Sequence, residues 1–146
     1  MQFSSKFEYT LLALLELASA YPKGEFLHIR QIAAVQNIPS RYLEQILATL
    51  RNGGLIKSTR GSKGGYILTR EPKQITLLDA FRCIEGTSTI NNFTDSVLEV
   101  SKDRKIIQSL YLEVYEAINA VLNKLTLQDL YEQRENQYPS ELMYYI

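Results

Sequence analysis

Three observations in this 146-residue chain predict a mainly α fold with a small β wing. Two short amphipathic stretches flank a four-residue corner, Asn37 to Ser40, and a glycine-studded ribbon, Thr59-Arg60-Gly61-Ser62-Lys63-Gly64-Gly65-Tyr66, comes soon after them. Further on, Asp95 to Leu125 contains neither proline nor glycine, as a long helix requires. In that order they describe a winged helix-turn-helix over residues 1–86 and a long dimerisation helix with a C-terminal helical segment over 87–146. An architecture of this kind points to duplex DNA.

The N-terminal stretch reads as a first helix. Phe7, Leu11, Leu14, Leu15 and Ala18 give it an apolar stripe, Ser4 or Ser5 can cap it, and Tyr21-Pro22-Lys23-Gly24 stops it. Its superficial likeness to a secretory signal fails on Glu8 and Glu16. Those charges interrupt a run that is in any case far short of the roughly 20 apolar residues needed to span a bilayer. In the first helix of the helix-turn-helix, Ile29, Ile32 and Ala33 line up, and Asn37 and Pro39 break it. In the second, Leu43, Ile46, Leu47 and Leu50 fall at i, i+3, i+4 and i+7. One face is thereby buried and Arg41, Tyr42, Glu44, Gln45, Ala48 and Arg51 are left on the other sides. Asn52-Gly53-Gly54 closes it, since glycine accepts the left-handed backbone of a helix C-terminus.

Strand-like Ile56-Lys57-Ser58-Thr59 and Tyr66-Ile67-Leu68-Thr69 then flank a turn carrying Arg60, Lys63 and glycines 61, 64 and 65. Alone, such a hairpin is as readily a solvent-exposed turn with incidental charge. Directly after a helix-turn-helix it reads as a basic wing for a phosphate strand or a minor groove. The charge distribution agrees, although the net charge is zero. Residues 1–75 hold ten lysines and arginines against five glutamates, a net of +5, and residues 76–146 hold six against eleven, a net of −5. A DNA-reading half joined to a non-reading half should be divided in this way.

Downstream, Thr76-Leu77-Leu78-Asp79 and Thr126-Leu127-Gln128-Asp129 each place a threonine three residues before an aspartate, the spacing of a capping box. Each is expected to open a helix. Between them Ile107, Tyr111, Val114, Ile118, Val121 and Leu125 recur at steps of four and three, the spacing of a helix–helix seam. A second apolar line, Ile106, Leu110 and Leu122, is expected to face the helix's own domain while the first faces a partner. The alternative is a helix that merely packs on its own domain. The aromatic tail from Tyr138 to Ile146 has no assigned role.

These residues carry a resemblance. Lys6-Phe7-Glu8-Tyr9, the run Ile38-Pro39-Ser40-Arg41-Tyr42-Leu43-Glu44-Gln45-Ile46-Leu47, Gly54-Leu55-Ile56 and Ser58 through Leu68 resemble the Rrf-type bacterial transcription regulators. That family spans iron-sulfur, nitric-oxide and cysteine-metabolism regulators. Nearly the whole chain is covered, and the Tyr-Leu-Glu-Gln and Arg-Gly-x-x-Gly-Gly-Tyr elements are specific. The resemblance implies a homodimer with crossed long helices that presents two recognition helices to a pseudo-palindromic DNA operator. It implies base-reading positions at Arg41, Tyr42 and Gln45 with Glu44 beside them, and Arg60 reaching the minor groove from the wing. Lys63 and Ser40 complete the expected DNA-binding set. The chemistry is sensible on its own terms, since arginine pairs with guanine edges, glutamine with adenine edges, and tyrosine meets a phosphate or a thymine methyl. Tyr42 can alternatively be read as a core aromatic, and Pro39 replaces a serine that contacts DNA in some relatives, where Ser40 could instead cap the helix.

The sensor is the larger departure. Cluster-binding relatives carry three cysteines before the dimerisation helix, and here Glu85 to Ser96 contains none. The single cysteine, Cys83, cannot supply the usual thiolate set, even with two chains sharing a site, and reads as a small buried hydrophobe. No cofactor and no metal are expected; a hybrid site recruiting Glu8 is the alternative within the regulator class. One cysteine also excludes an internal disulfide, leaving a cytoplasmic protein without membrane attachment as the default. An enzyme would need a nucleophile, an acid–base pair or a metal constellation, and none is legible; the lone His28 reads as a surface or interface residue. A repressor is thus expected, with a winged protein-interaction module as the other class. The sequence names no effector, whether protein or small molecule.

Overall fold

The computed structural model describes residues 4–86 and 101–138. Helix α1 (Ser5–Ala20) is followed by a 3-10 turn at Tyr21–Lys23, α2 (Ile29–Gln36) and α3 (Ser40–Asn52). Strands β1 (Ile56–Thr59) and β2 (Gly65–Leu68) come next, then α4 (Leu77–Glu85), α5 (Lys102–Lys124) and α6 (Leu127–Gln137). The expected boundaries of α5 upstream of Ser101, and the tail beyond Tyr138, lie outside the described residues.

Ser4 caps α1 by accepting the Phe7 N–H at 3.2 Å. The buried stripe is wider than its leucines suggest. Phe7, Leu14 and Ala18 are buried as expected, but so are Thr10, Ala13 and Leu17, while Leu11 and Leu15 are half-buried. The polar Thr10 is tolerated there because its hydroxyl donates to the Lys6 carbonyl at 2.7 Å. Packing of α1 explains the width: it touches α2, α3, α4, α6 and β2, so most of its circumference is covered.

Asn37 takes the left-handed backbone, φ 53°, that turns α2 into α3, and its neighbour Ile38 is buried beneath the corner. Ser40 does not cap α3. Pro39 occupies the cap position, with no side-chain cap bond, and its carbonyl already accepts the Leu43 N–H at 3.0 Å. Ser40 is therefore the first helical residue, with its side chain exposed. Leu43, Ile46, Leu47 and Leu50 are all completely buried, each worth about 1.5–3 kcal/mol of transfer free energy.

The hairpin pairs antiparallel from Ile56↔Leu68 to Thr59↔Gly65. A third segment joins it at a single point unannounced by any alternating pattern. Leu27 exchanges both backbone hydrogen bonds with Tyr66, at 2.9 and 2.8 Å. Gly65 is what permits this, because at φ 129° its backbone passes so close to the Leu27 carbonyl that a Cβ would collide with it.

Both capping boxes form. Thr76 and Asp79 exchange bonds of 3.0 and 2.9 Å, and Thr126 and Asp129 exchange bonds of 3.1 and 2.9 Å. The two boxes also pair with each other as an antiparallel bridge, Leu77 N–H to the Leu125 carbonyl at 2.8 Å and Leu127 N–H to the Ile75 carbonyl at 2.9 Å. Helix α6 is thus stapled back onto the N-terminal body. There Arg134 reaches Glu16 of α1 at 3.0 Å, and Glu16 also accepts from Gln36 of α2 at 2.6 Å.

The second apolar line of α5 does not face home throughout. Leu122 is buried and Ile118 packs against the core, but Ile106 is 67% exposed and Leu110 52%. Ile107, Tyr111, Val114 and Val121 are exposed as well. Among the described residues the buried core reaches this helix at Ile118 and Leu122, in its last turns, and Ile106, Ile107 and Leu110 in the earlier turns stay exposed.

Cys83 lies in α4 and is half-buried, its thiol donating to the Thr49 carbonyl of α3 at 3.4 Å. Gly54 supplies the left-handed backbone that ends α3, with φ 78°, whereas Gly53 serves packing: a Cβ there would overlap the Cys83 sulfur. Gly53→Ala should therefore lower stability by about 1–3 kcal/mol through overpacking. In urea titrations the Gly53→Ala/Cys83→Ala double variant should recover much of that loss, and strict additivity of the two single effects would contradict the contact.

Candidate nucleic-acid interface

Burying the Leu43–Leu50 stripe leaves the opposite face of α3 in solvent by necessity. Arg41, Glu44 and Gln45 are exposed there, with Ser40 at the helix start. Tyr42 is 44% exposed, on the surface rather than in the core, and its ring meets Tyr9 of α1 edge-on with centroids 5.7 Å apart. An edge contact of that kind restrains the ring while leaving its outer side open. Sequence reasoning missed Tyr9, because partners on different helices leave no local spacing signal.

The wing projects beside this face. Arg60, Gly61, Ser62 and Lys63 form its exposed tip, and the Gly64 N–H closes the turn on the Gly61 carbonyl at 3.0 Å. Two side-chain contacts fix the wing against the helix-turn-helix. Arg51, in the last turn of α3, donates to the Ser58 hydroxyl of β1 at 3.4 Å. A ring nitrogen of His28, just before α2, lies 3.4 Å from the Ser62 carbonyl. His28 is thus a surface residue as expected, though one placed against the wing. Together these bring all seven expected positions, Ser40, Arg41, Tyr42, Glu44, Gln45, Arg60 and Lys63, onto exposed parts of α3 and the wing.

Among the described residues no three histidines, cysteines, aspartates or glutamates cluster so as to hold a metal ion. Glu8 is exposed on the first turn of α1, and burial pushes the Cys83 thiol up from its ordinary pKa, opposite to what a ligating thiolate needs. Among the described residues no helix is long and apolar enough to cross a membrane.

A short helix, a tight corner, a polar-faced second helix and a basic wing define a DNA-binding transcriptional regulator of the winged-helix class. The chain belongs to the Rrf2 family, whose model, described as iron-dependent transcriptional regulators, matches residues 3–133. It is 34% identical over 145 residues to the HTH-type transcriptional regulator CymR of Bacillus subtilis, spanning 99% of both chains. The solved structure of T. potens IscR superposes with a TM-score of 0.79 at 32% identity, covering 99% of this chain and 96% of that one. The structure of B. subtilis CymR, described as its global cysteine regulator, gives a TM-score of 0.73 at 35% identity over 91% and 98% of the two chains. The chain is therefore a regulator and no enzyme. The iron of the family description does not fit a cluster held by several thiolates, because the whole sequence offers one cysteine, committed to the α3–α4 contact.

Because its thiol is half-buried and its pKa raised, Cys83 should react with iodoacetamide more slowly in the native protein than in the unfolded chain at pH 8. The native rate should climb as pH passes the ordinary thiol range; equal native and unfolded rates at pH 8 would contradict the burial.

Proposed function

We propose that this regulator acts as a cytoplasmic homodimeric repressor on a pseudo-palindromic operator, without an iron-sulfur cluster. The observation that carries the reading is the pairing of two exposed surfaces on one chain: a polar face on α3 and an apolar face on α5. Ile106, Ile107, Leu110, Tyr111 and Val114 together expose more apolar surface on one helix than a lone soluble helix tolerates. A second copy of α5 is the occupant that covers the apolar face on both chains at once, because a two-fold interface is self-complementary.

Dimerisation through α5, with residues 1–86 reading and 87–146 pairing, would present two α3 helices to successive major grooves about 34–36 Å apart. In that setting Arg41 addresses guanine, Gln45 adenine and Glu44 the amino group of cytosine, while Tyr42 meets a thymine methyl or a phosphate. Ser40 and Lys63 hold phosphates, and Arg60 enters the minor groove. Repression follows from occupying the operator. An effector, protein or small molecule, acts by preferring one spacing of the two heads over the other, since equal affinity for both shifts nothing.

Selection of bound duplexes from a random pool tests this directly, with a two-fold motif expected and sequence-independent recovery refuting it. Arg41→Ala and Gln45→Ala should each cost about 1–3 kcal/mol on the selected operator and relax the preference at one position per half-site. Leu110→Asp combined with Val114→Asp should yield a folded monomer by sedimentation, with operator affinity down about 10²–10⁴-fold from lost bivalency. A double variant that stays dimeric would remove α5 as the interface. Anaerobic purification followed by iron and sulfide analysis tests the cofactor: stoichiometric iron with visible absorbance would overturn the cluster-free reading.

A further inference from the structure

Between the wing and the helix-turn-helix lies a cleft of about 370 Å³ to which none of the base-reading positions on α3 contributes. His28, Arg51, Ser58 and Arg60 line it, from the start of α2, the end of α3, β1 and the wing turn. Among the described residues neither arginine is paired with a carboxylate. Arg51 meets a neutral hydroxyl, Ser58, at a long 3.4 Å. A guanidinium carries five N–H donors, so that single bond leaves a planar fork facing the cleft with most of its capacity unspent.

What belongs in such a cleft follows from its position. If α3 occupies a major groove and the wing tip the neighbouring minor groove, the sugar-phosphate strand that divides the two grooves must pass between α3 and the wing. The cleft is that gap. We propose that Arg51 binds a phosphodiester of this dividing strand through paired N–H···O bonds, with the Ser58 hydroxyl steadying the guanidinium from behind. The proposal rests on the DNA-reading function above and adds to it a contact outside the base-reading set. The contact is blind to sequence: it adds affinity for any duplex and fixes the distance between recognition helix and wing on it.

The test uses the full-length protein, the selected operator duplex and a scrambled duplex of equal length, with anisotropy titrations across a range of salt. Arg51→Gln keeps a partner for Ser58 but removes the charge. It should weaken binding to both duplexes by the same factor, roughly 10- to 100-fold for each head that loses its contact, the worth of a charge-assisted hydrogen bond. The slope of log affinity against log salt should become shallower by about 0.9 per phosphate lost, hence about 1.8 for two heads. Arg51→Lys should keep the wild-type slope while losing part of the affinity, because the charge remains and the fork does not. An unchanged slope in Arg51→Gln, or a loss confined to the operator, overturns the phosphate assignment. A wild-type protein with no preference between the duplexes would instead overturn the regulator reading, so the two failures are distinguishable.

Discussion

The burial of one side of α3 is the constraint on which the rest of the interface depends. Leu43, Ile46, Leu47 and Leu50 are sealed beneath the helix, and removing any one of them to alanine would cost about 2–5 kcal/mol. That same burial fixes the rotation of the helix about its axis. Arg41, Glu44 and Gln45 have no freedom to be anywhere but outside. The polar outer face of α3 is a by-product of hydrophobic packing: the core selects the angle, and the polar residues inherit it.

Around α3, a few polar contacts set the position of the neighbouring elements. Glu16, only 15% exposed on its side chain, receives Gln36 from the end of α2 and Arg134 from α6 on one carboxylate oxygen. A largely buried charge is tolerable when paired and hydrogen-bonded, and here three helices supply the terms of that satisfaction. The twin threonine–aspartate boxes do the equivalent work at the other end of α6. Helix α6 therefore returns to the body where α1 and α2 meet, directly after α5.

Local features were legible in the sequence wherever the determining residues lie within a turn or two of each other. The Leu43–Leu50 stripe, the Asn37 corner, both capping boxes and the wing hairpin are all of that kind. Contacts between distant segments were not legible. Leu27 joins Tyr66 through a single bridge, too short to alternate; Tyr9 meets Tyr42, and Gly53 meets Cys83, across gaps that leave no periodic trace. Serine favours the cap position, so Ser40 reads from the sequence as a possible cap, yet proline one residue earlier has the backbone angles of a cap. Ile106 and Leu110 differ from the expected home face because spacing reports that a line is apolar and is silent on what lies opposite it. For the interface residues, exposure was readable from the helix pattern, but the proximity of His28 and Arg51 to the wing was not.

The seating of α5 makes it a lever. Among the described residues its contacts with the body are concentrated at Ile118 and Leu122, near one end. With a rise of about 1.5 Å per residue, Ile107 stands roughly 16 Å from Ile118 and roughly 22 Å from Leu122. A tilt of about five degrees at the seat therefore carries the far turns by about 2 Å, with no side chain leaving the core. Angular play in a few apolar contacts becomes translation at a distance, so small disturbances near α4 are magnified along the rod rather than absorbed by it.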